Sequence, residues 1–287
     1  MRRHPDWLKV KIGGGESFVK MKSLLREAKL HTICEEAKCP NIAECFGSGT
    51  AVFLILGDIC TRDCKYCYVK HGKPLKLNLE EPKDVAESVK KLGLKYVVIT
   101  SVTRDDLEDG GADIFYKTIK EIKKLNPNVF VEVLIPDFNG NISSLKKVID
   151  AKPDVINHNI EVVENLFADI RPQGNYETSL KLLKEIKNIN KDIKTKSGFM
   201  VGLGESEEQI LKTMKDLRNS EVDFLTIGQY LQPSKNHIEI SKYYSPTEFD
   251  QFKKSALDMG FKHVESGPLV RSSYHAEKAI NLESKNR

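Results

Sequence analysis

From Val52 onward the chain alternates between two hydrophobic rhythms. Short, near-continuous apolar runs stand at 52–56 (VFLIL), 96–100 (YVVIT), 129–135 (VFVEVLI), 154–160 (DVINHNI), 197–202 (SGFMVG) and 224–228 (FLTIG). Between and after them, apolar residues recur every three or four positions. Val85, Val89 and Leu92 run up to Gly93, and Phe115, Ile119 and Ile122 stop before Pro127. Leu145, Val148 and Ile149 follow, then Leu180, Leu183 and Ile186, then Ile210, Met214 and Leu217, and last Phe249, Phe252 and Ala256. The first rhythm predicts strands buried on both faces, the second amphipathic helices. Their alternation argues a parallel sheet covered by helices. Six such units suit either a doubly wound sheet or an incomplete barrel. No dinucleotide-binding fingerprint follows the first strand. GLGESEEQ (202–209) lacks the glycine spacing and reads as a tight turn with an acidic helix start.

Upstream of Val52 the pattern is different. Phe18, Met21, Leu25 and Ala28 predict one amphipathic helix ending near His31, and a cysteine-bearing segment follows, broken by Pro40 and Asn41 into turns or short helical pieces. The chain shows no internal repeat and no low-complexity tract. Its 287 residues allow one large α/β domain or a smaller one with an extension, and 40% hydrophobic with 30% charged residues is a globular balance. A formal charge of +4 is too small to suggest a dedicated nucleic-acid binder. KKLGLK and KEIKKLN read as solvated helix faces. The basic start has no apolar run behind it, and no segment approaches a membrane span. A cytoplasmic protein is expected, and reduced thiols with it, which weakens a disulfide reading of the six cysteines.

Three of those cysteines crowd into CTRDCKYC. Cys60, Cys64 and Cys67, spaced C-x3-C-x2-C, follow the first strand directly and so belong at the C-terminal edge of the sheet, where such folds carry their chemistry. A structural zinc site closes with four ligands, and the nearest candidate for a fourth is His71. A four-iron, four-sulfide cubane held by three thiolates keeps one iron open for an exchangeable ligand. A zinc knuckle or incidental reactive thiols are the alternatives. With Tyr66 just before the last cysteine, the loop resembles that of the radical S-adenosylmethionine superfamily. In that superfamily the open iron chelates S-adenosylmethionine, whose reductive cleavage yields a 5′-deoxyadenosyl radical. The resemblance implies an incomplete (β/α)6 TIM-like barrel over 50–265, with an N-terminal cysteine-bearing extension (1–49) and a C-terminal tail (266–287).

A second triplet, Cys34, Cys39 and Cys45, is spaced C-x4-C-x5-C ahead of the barrel. Taken alone it fits a second cluster, a partial zinc site or buried structural thiols. The co-linear motifs CEEAKCPNIAEC, GDICTRDCKYC, TSVTRDDLEDGGA (100–112), GQYLQPSKNH (228–237) and GPLVRSSYHA (267–276) together resemble the lipoyl synthase family. Tyr68 departs from the acidic or small residue expected after the third loop cysteine.

The resemblance implies a sulfurtransferase that inserts two sulfur atoms, at carbons 6 and 8, into a protein-bound octanoyl-lysine. Cys60, Cys64 and Cys67 would hold the catalytic 4Fe-4S cluster. Cys34, Cys39 and Cys45 would hold an auxiliary 4Fe-4S cluster that donates the sulfur, with a tail serine as fourth ligand. Adjacent residues of an extended tail point to opposite sides, which selects one of Ser272 and Ser273, and Ser273 is the choice. S-adenosylmethionine contacts fall to Tyr66, Thr100, Ser101, Asp106, Asn157, Glu161 and Arg171, with Asn159 beside them; capping and turn formation is the other role open to Asp106. His158 reads as a satisfied hydrogen-bonding histidine. Arg271 would orient the tail, and Gln229 and Tyr230 would line the acyl cavity. The partners implied are an octanoylated lipoyl-domain or glycine-cleavage H-type carrier protein, an electron donor such as flavodoxin or ferredoxin, and an iron–sulfur carrier for cluster repair. Neither nucleic acid nor membrane is among them. A methylthiotransferase or biotin synthase relative is the runner-up, and a zinc-stabilised binding protein is the alternative outside enzymes.

Overall fold

The structure is a computed structural model that describes residues 5–9, 16–27, 30–47 and 52–276. Its strands are β1 (His31–Thr32), β2 (Val52–Ile55), β3 (Ile59–Cys60), β4 (Lys70–His71), β5 (Tyr96–Ser101), β6 (Phe130–Leu134), β7 (Val155–Asn157), β8 (Lys194–Val201), β9 (Phe224–Gln229) and β10 (His263–Gly267). The helices are α1 (Glu16–Glu27), α2 (Ile33–Glu36), α3 (Ile42–Gly47), α4 (Glu81–Leu92), α5 (Ala112–Leu125), α6 (Ile142–Asp150), α7 (Glu164–Ile170), α8 (Tyr176–Ile189), α9 (Glu207–Asn219) and α10 (Pro246–Asp258). The main sheet has eight strands in the order β1-β2-β5-β6-β7-β8-β9-β10. All its pairs are parallel except β1–β2, which is antiparallel.

The six predicted strands are β2 and β5 to β9, and the six predicted helices are α4, α5, α6, α8, α9 and α10. Two sheet members were not foreseen. β10 (HVESG) buries only Val264 well and pairs with β9 alone, so it lacks the apolar run that marks a strand covered on both faces. β1 is two residues long and owes its form to β2. The predicted division at 265 falls inside β10, so the tail starts after Gly267. In the first helix, α1 ends at Glu27, and Ala28 lies outside the described residues, as does the tail beyond Ala276.

Local signals explain the helix ends. Gly93 closes α4 in the left-handed conformation at φ 62°. α9 and α10 each start with a capping box, Ser206 with Gln209 and Ser245 with Glu248. The 202–209 stretch is the tight turn expected, with the Glu205 carboxylate accepting from Gly202 and Leu203 N–H. Phe115, Ile119 and Ile122 of α5 are fully buried with Val97, Ile99, Val131 and Val133 in one core. Each such side chain contributes about 2 kcal/mol on burial.

Residues of β2, β5, β6, β8 and β9 line one cavity, so the sheet curls around an interior as a partial barrel. Beneath that cavity lies a buried polar layer. The Glu132 carboxylate accepts from Lys196 Nζ at 2.9 Å, Asn157 Nδ2 at 3.1 Å and Tyr96 Oη at 2.5 Å. Among the described residues no helix is long and apolar enough to cross a membrane.

Candidate active site

The turn leaving β2 opens the site. Leu56 and Gly57 take positive φ (70° and 89°), and the buried Glu81 carboxylate accepts from Leu56 N–H at 2.8 Å. Gly111 is packed so closely here that a Cβ on it would sit 2.3 Å from Leu56 Cδ1. This fixes the glycine pair of the 100–112 motif by packing. Cys60 then enters the two-stranded ribbon β3–β4, paired in register with His71. His71 is exposed and does not line the cavity.

The cysteine loop is clamped at its centre. Arg62, 3% exposed along its side chain, donates to Asp105 at 2.7 and 2.9 Å, to Asp137 at 2.7 and 2.8 Å and to Asn139 at 2.7 Å. Burial opposes the guanidinium charge, but the two carboxylates outweigh it and raise its pKa. Burial alone would lift Asp137, yet Arg62 holds it down at about 2. The loop is also tied by Thr61 N–H to Thr103 C=O, Lys65 N–H to Ile170 C=O and His237 Nε2–H to Cys67 C=O, each at 2.9 to 3.0 Å. The sequence reading did not single out Arg62, Asp105, Asp137 or Asn139. An arginine between two cysteines of the triplet was a usable signal, but its partner Asp137 lies 75 residues away and had none.

All six thiols, with Ser272 and Ser273, line a single cavity of about 540 Å³. Two elements bring the distant parts together. Asn41 Nδ2 donates to Leu269 C=O at 2.6 Å, and Glu44 accepts from Tyr274 Oη at 3.0 Å. Gly228 of β9 makes room for the tail, because a Cβ there would lie 2.2 Å from Val270 O. Arg271 is half-buried near Cys39. Residues 272–275 form a turn and not the extended strand assumed, so both serines reach the wall and alternation does not choose between them. Lys38 bridges the two cysteine segments. Its Nζ donates to Tyr68 Oη at 2.5 Å, and Tyr68 packs on His237 with ring centres 5.8 Å apart.

The residues fit iron–sulfur and S-adenosylmethionine binding on three counts. Cys60 Sγ accepts backbone N–H groups of Arg62 at 3.4 Å and Thr103 at 3.3 Å, which hold the sulfur in place on the wall. Burial pushes the Cys34 and Cys67 thiols up to about 12, and raises Cys39 and Cys64, so a cation is needed to keep them ionised. Ser101 Oγ, Asn159 Oδ1 and Arg171 Nε are buried on or beside the cavity wall without a hydrogen-bond partner. Such orphaned groups await a polar ligand. Among the described residues, no three His, Cys, Asp or Glu groups close tightly around a single ion.

Of the other expected contacts, Tyr66, Thr100, Ser101, Glu161 and Arg171 line the cavity. Glu161 holds a left-handed φ of 70°, fixed by backbone bonds to Gly198 and Met200 of β8. Burial raises its carboxyl pKa against the opposing pull of Arg171. Asp106 does not line the cavity and pairs with Arg104 Nε at 2.8 Å. Asn157 is also absent from the wall. It lies in the Glu132–Lys196 layer, two residues deeper along the interior face than Asn159, which takes the wall position. His158 is satisfied by Ile135 C=O and Ser179 Oγ, and burial lowers its pKa to about 4. Gln229 and Tyr230 line the cavity, with their polar ends bonded to backbone.

Residues 54–217 match the model of the radical SAM superfamily, and residues 1–39 match that of the N-terminal domain of lipoyl synthase. Lipoyl synthase of Shouchella clausii is 54% identical over 280 residues, which is 97% of this chain and 91% of that protein. The lipoyl synthase of Caldicellulosiruptor bescii is also 54% identical, with 98% and 96% covered. The chain belongs to the lipoyl synthase family. It is therefore a radical S-adenosylmethionine enzyme that inserts sulfur to build the lipoyl group, and it works with 4Fe-4S chemistry. Its substrate is an octanoylated carrier and the reaction needs a reductant. Solved structures support the fold. Methylornithine synthase superposes at a TM-score of 0.57 with 13% identity, covering 88% of this chain and 79% of that one. Streptococcus suis SuiB bound to S-adenosylmethionine gives 0.59 with 13% identity, covering 88% and 61%.

Proposed function

We propose that this chain thiolates carbons 6 and 8 of a protein-bound octanoyl-lysine using two 4Fe-4S clusters set into one cavity. The supporting observation is that both cysteine triplets and the tail serines share its wall. On this reading Cys60, Cys64 and Cys67 hold the catalytic cluster, and Cys34, Cys39 and Cys45 hold the auxiliary one, with Ser273 as fourth ligand and Ser272 as its rival. When bound, the groups supply a carbon-centred radical from S-adenosylmethionine on one side and sulfide on the other.

The chain's own residues then divide the work. Arg62 holds the Cys60–Cys67 loop against β5 and β6 through Asp105 and Asp137. Ser101, Asn159, Glu161 and Arg171 present hydrogen-bonding atoms to the polar parts of the cofactor, and Tyr66 and Thr100 complete the wall. Asp106 serves through Arg104, whose Nη1 binds Leu56 C=O and so steadies the turn before the loop. Leu54, Leu134, Phe199 and Met200 give the acyl chain an apolar lining that excludes water. The barrel carries the radical chemistry, and the cysteine-bearing extension and tail together carry the sulfur source.

The carrier would be a lipoyl domain or an H-type protein of glycine cleavage. The electron would come from a flavodoxin- or ferredoxin-type donor, and an iron–sulfur carrier would rebuild the auxiliary cluster, all in the cytoplasm. An anaerobic reaction of reconstituted protein with S-adenosylmethionine, reductant and octanoyl-lysine peptide tests the reading by mass spectrometry. A gain of two sulfurs with loss of two hydrogens, without added sulfide, is expected. An unchanged peptide beside accumulating 5′-deoxyadenosine would sink the sulfur-donor assignment.

A further inference from the structure

Beside the cavity the chain carries a surface that the sulfur chemistry does not use. After lining the wall with Tyr68 and Val69, it passes through β4 and loop 72–80 to reach α4. In a parallel α/β sheet, helices begin at the C-terminal edge of the strands, so this loop shares the edge that bears the cysteines. The loop is pinned from beneath. Gly72 N–H donates to Cys60 C=O at 2.9 Å, Arg104 Nη2 donates to Leu75 C=O at 3.3 Å, and Leu77 packs on the core. Despite that, Leu75 and Leu79 stand 74% and 68% exposed, the largest exposures among the described large hydrophobic residues.

The charge leading up to them is basic, and the exposed Glu80 beside Leu79 is the one acidic residue of the loop. Residues 65–76 include Lys65, Lys70, His71, Lys73 and Lys76 and no acidic residue, although the chain as a whole is only +4. Lys70 is engaged by Asp58. Lys73 and Lys76 are exposed and form no ion pair with a described acidic residue. Leu75 between Lys73 and Lys76, with Leu79 four residues on, makes an apolar centre whose rim is mainly basic.

We infer that loop 72–80, with Leu75 and Leu79 at its centre and Lys73 and Lys76 at its edge, is the docking surface for the octanoylated carrier, and that the carrier is acidic around its modified lysine. The inference rests on the proposed function in one respect, that the substrate is tethered to a protein. An acyl group delivered on one lysine side chain brings the carrier's own surface against whatever borders the cavity. The border here is positive, so a negative surface is the complementary one and is steered to it. A short octanoyl-lysine peptide reaches the cavity without needing the loop.

Two double variants of the full chain test this, Leu75→Ser with Leu79→Ser and Lys73→Glu with Lys76→Glu. Their affinity for an octanoylated lipoyl domain is measured by fluorescence anisotropy at low and moderate salt, alongside thiolation of an octanoyl-lysine tripeptide. Each pair is expected to weaken carrier binding about tenfold or more, the charge reversal to abolish the salt dependence, and tripeptide turnover to stay unchanged. Affinity within about twofold of the unsubstituted chain overturns the inference, as does failure of the unsubstituted chain to bind the carrier. Tripeptide turnover falling in step with binding assigns the loop a supporting role for the cysteines and also overturns it. So does a loss seen only on phosphatidylglycerol vesicles. A chain that binds the carrier but thiolates neither substrate counts against the proposed function, while the binding comparison still decides the docking surface.

Discussion

Cys60, Cys64 and Cys67 sit on a loop that grows directly from β2 and is clamped within the same barrel, through Arg62 to Asp105 and Asp137. Cys34, Cys39 and Cys45 sit on and between two short helices of four and six residues, which could not persist alone. That second segment is held by partners far along the chain, Leu269 and Tyr274 in the tail and Tyr68 in the other loop. One triplet is thus positioned by a rigid strand end and a buried ion network. The other is positioned by the meeting of two termini. On the proposed reading, a cluster-holding loop that must retain its geometry suits the first arrangement, and a sulfur source that must open and be rebuilt suits the second.

The largest effect that tests this contrast comes from the cysteines themselves. Cys64→Ala should abolish both 5′-deoxyadenosine formation and sulfur insertion. Cys39→Ala should spare 5′-deoxyadenosine formation and abolish insertion. Chromatographic quantification of both products decides the matter, and equal loss of both in Cys39→Ala would break the division. Next comes Gly228→Ala, whose Cβ meets Val270 O at 2.2 Å. Backbone cannot yield cheaply, so the tail should shift, lowering insertion about tenfold with 5′-deoxyadenosine formation retained.

Arg62→Met attacks the other region. Removing one partner of a buried ion network costs about 3–5 kcal/mol, which thermal unfolding would register. The pH dependence carries a sign. With Arg62 present, Asp137 is depressed to about 2, so its stabilisation of about 2 kcal/mol is complete above the unfolded value near 4 and is lost as pH falls through 2. Without Arg62, burial raises that carboxyl, so the variant should gain stability on mild acidification where the parent does not. A parallel pH profile for both would refute the clamp. The smallest effect is expected from Tyr274→Phe, which removes one exposed hydrogen bond to Glu44. Insertion should fall about twofold and 5′-deoxyadenosine formation should not change.

Local order was readable wherever a residue's neighbours in sequence are also its neighbours in space. Val85, Val89 and Leu92 with Gly93 announce α4 because helix periodicity and a left-handed cap are properties of adjacent residues. The cysteine spacing announces the loop for the same reason. β10 escaped because an edge strand of mixed polarity has no period of its own. Asn157 and Asn159 could not be told apart, since both face the interior and only depth separates the Glu132–Lys196 layer from the cavity wall. Asp106 looked like a cofactor contact until Arg104 claimed it.

The sequence by itself determined the strand–helix alternation, the two thiol triplets and the chemistry that three thiolates permit. Tertiary structure alone decided that Asp137 closes on Arg62 across 75 residues, that Glu44 meets Tyr274 across 230, and that the tail turns over Gly228 to face Cys39. The physical reason is reach. Hydrophobic periodicity and turn chemistry act within a few residues, whereas an ion pair or a steric gap is set by whatever the fold brings within a few ångströms.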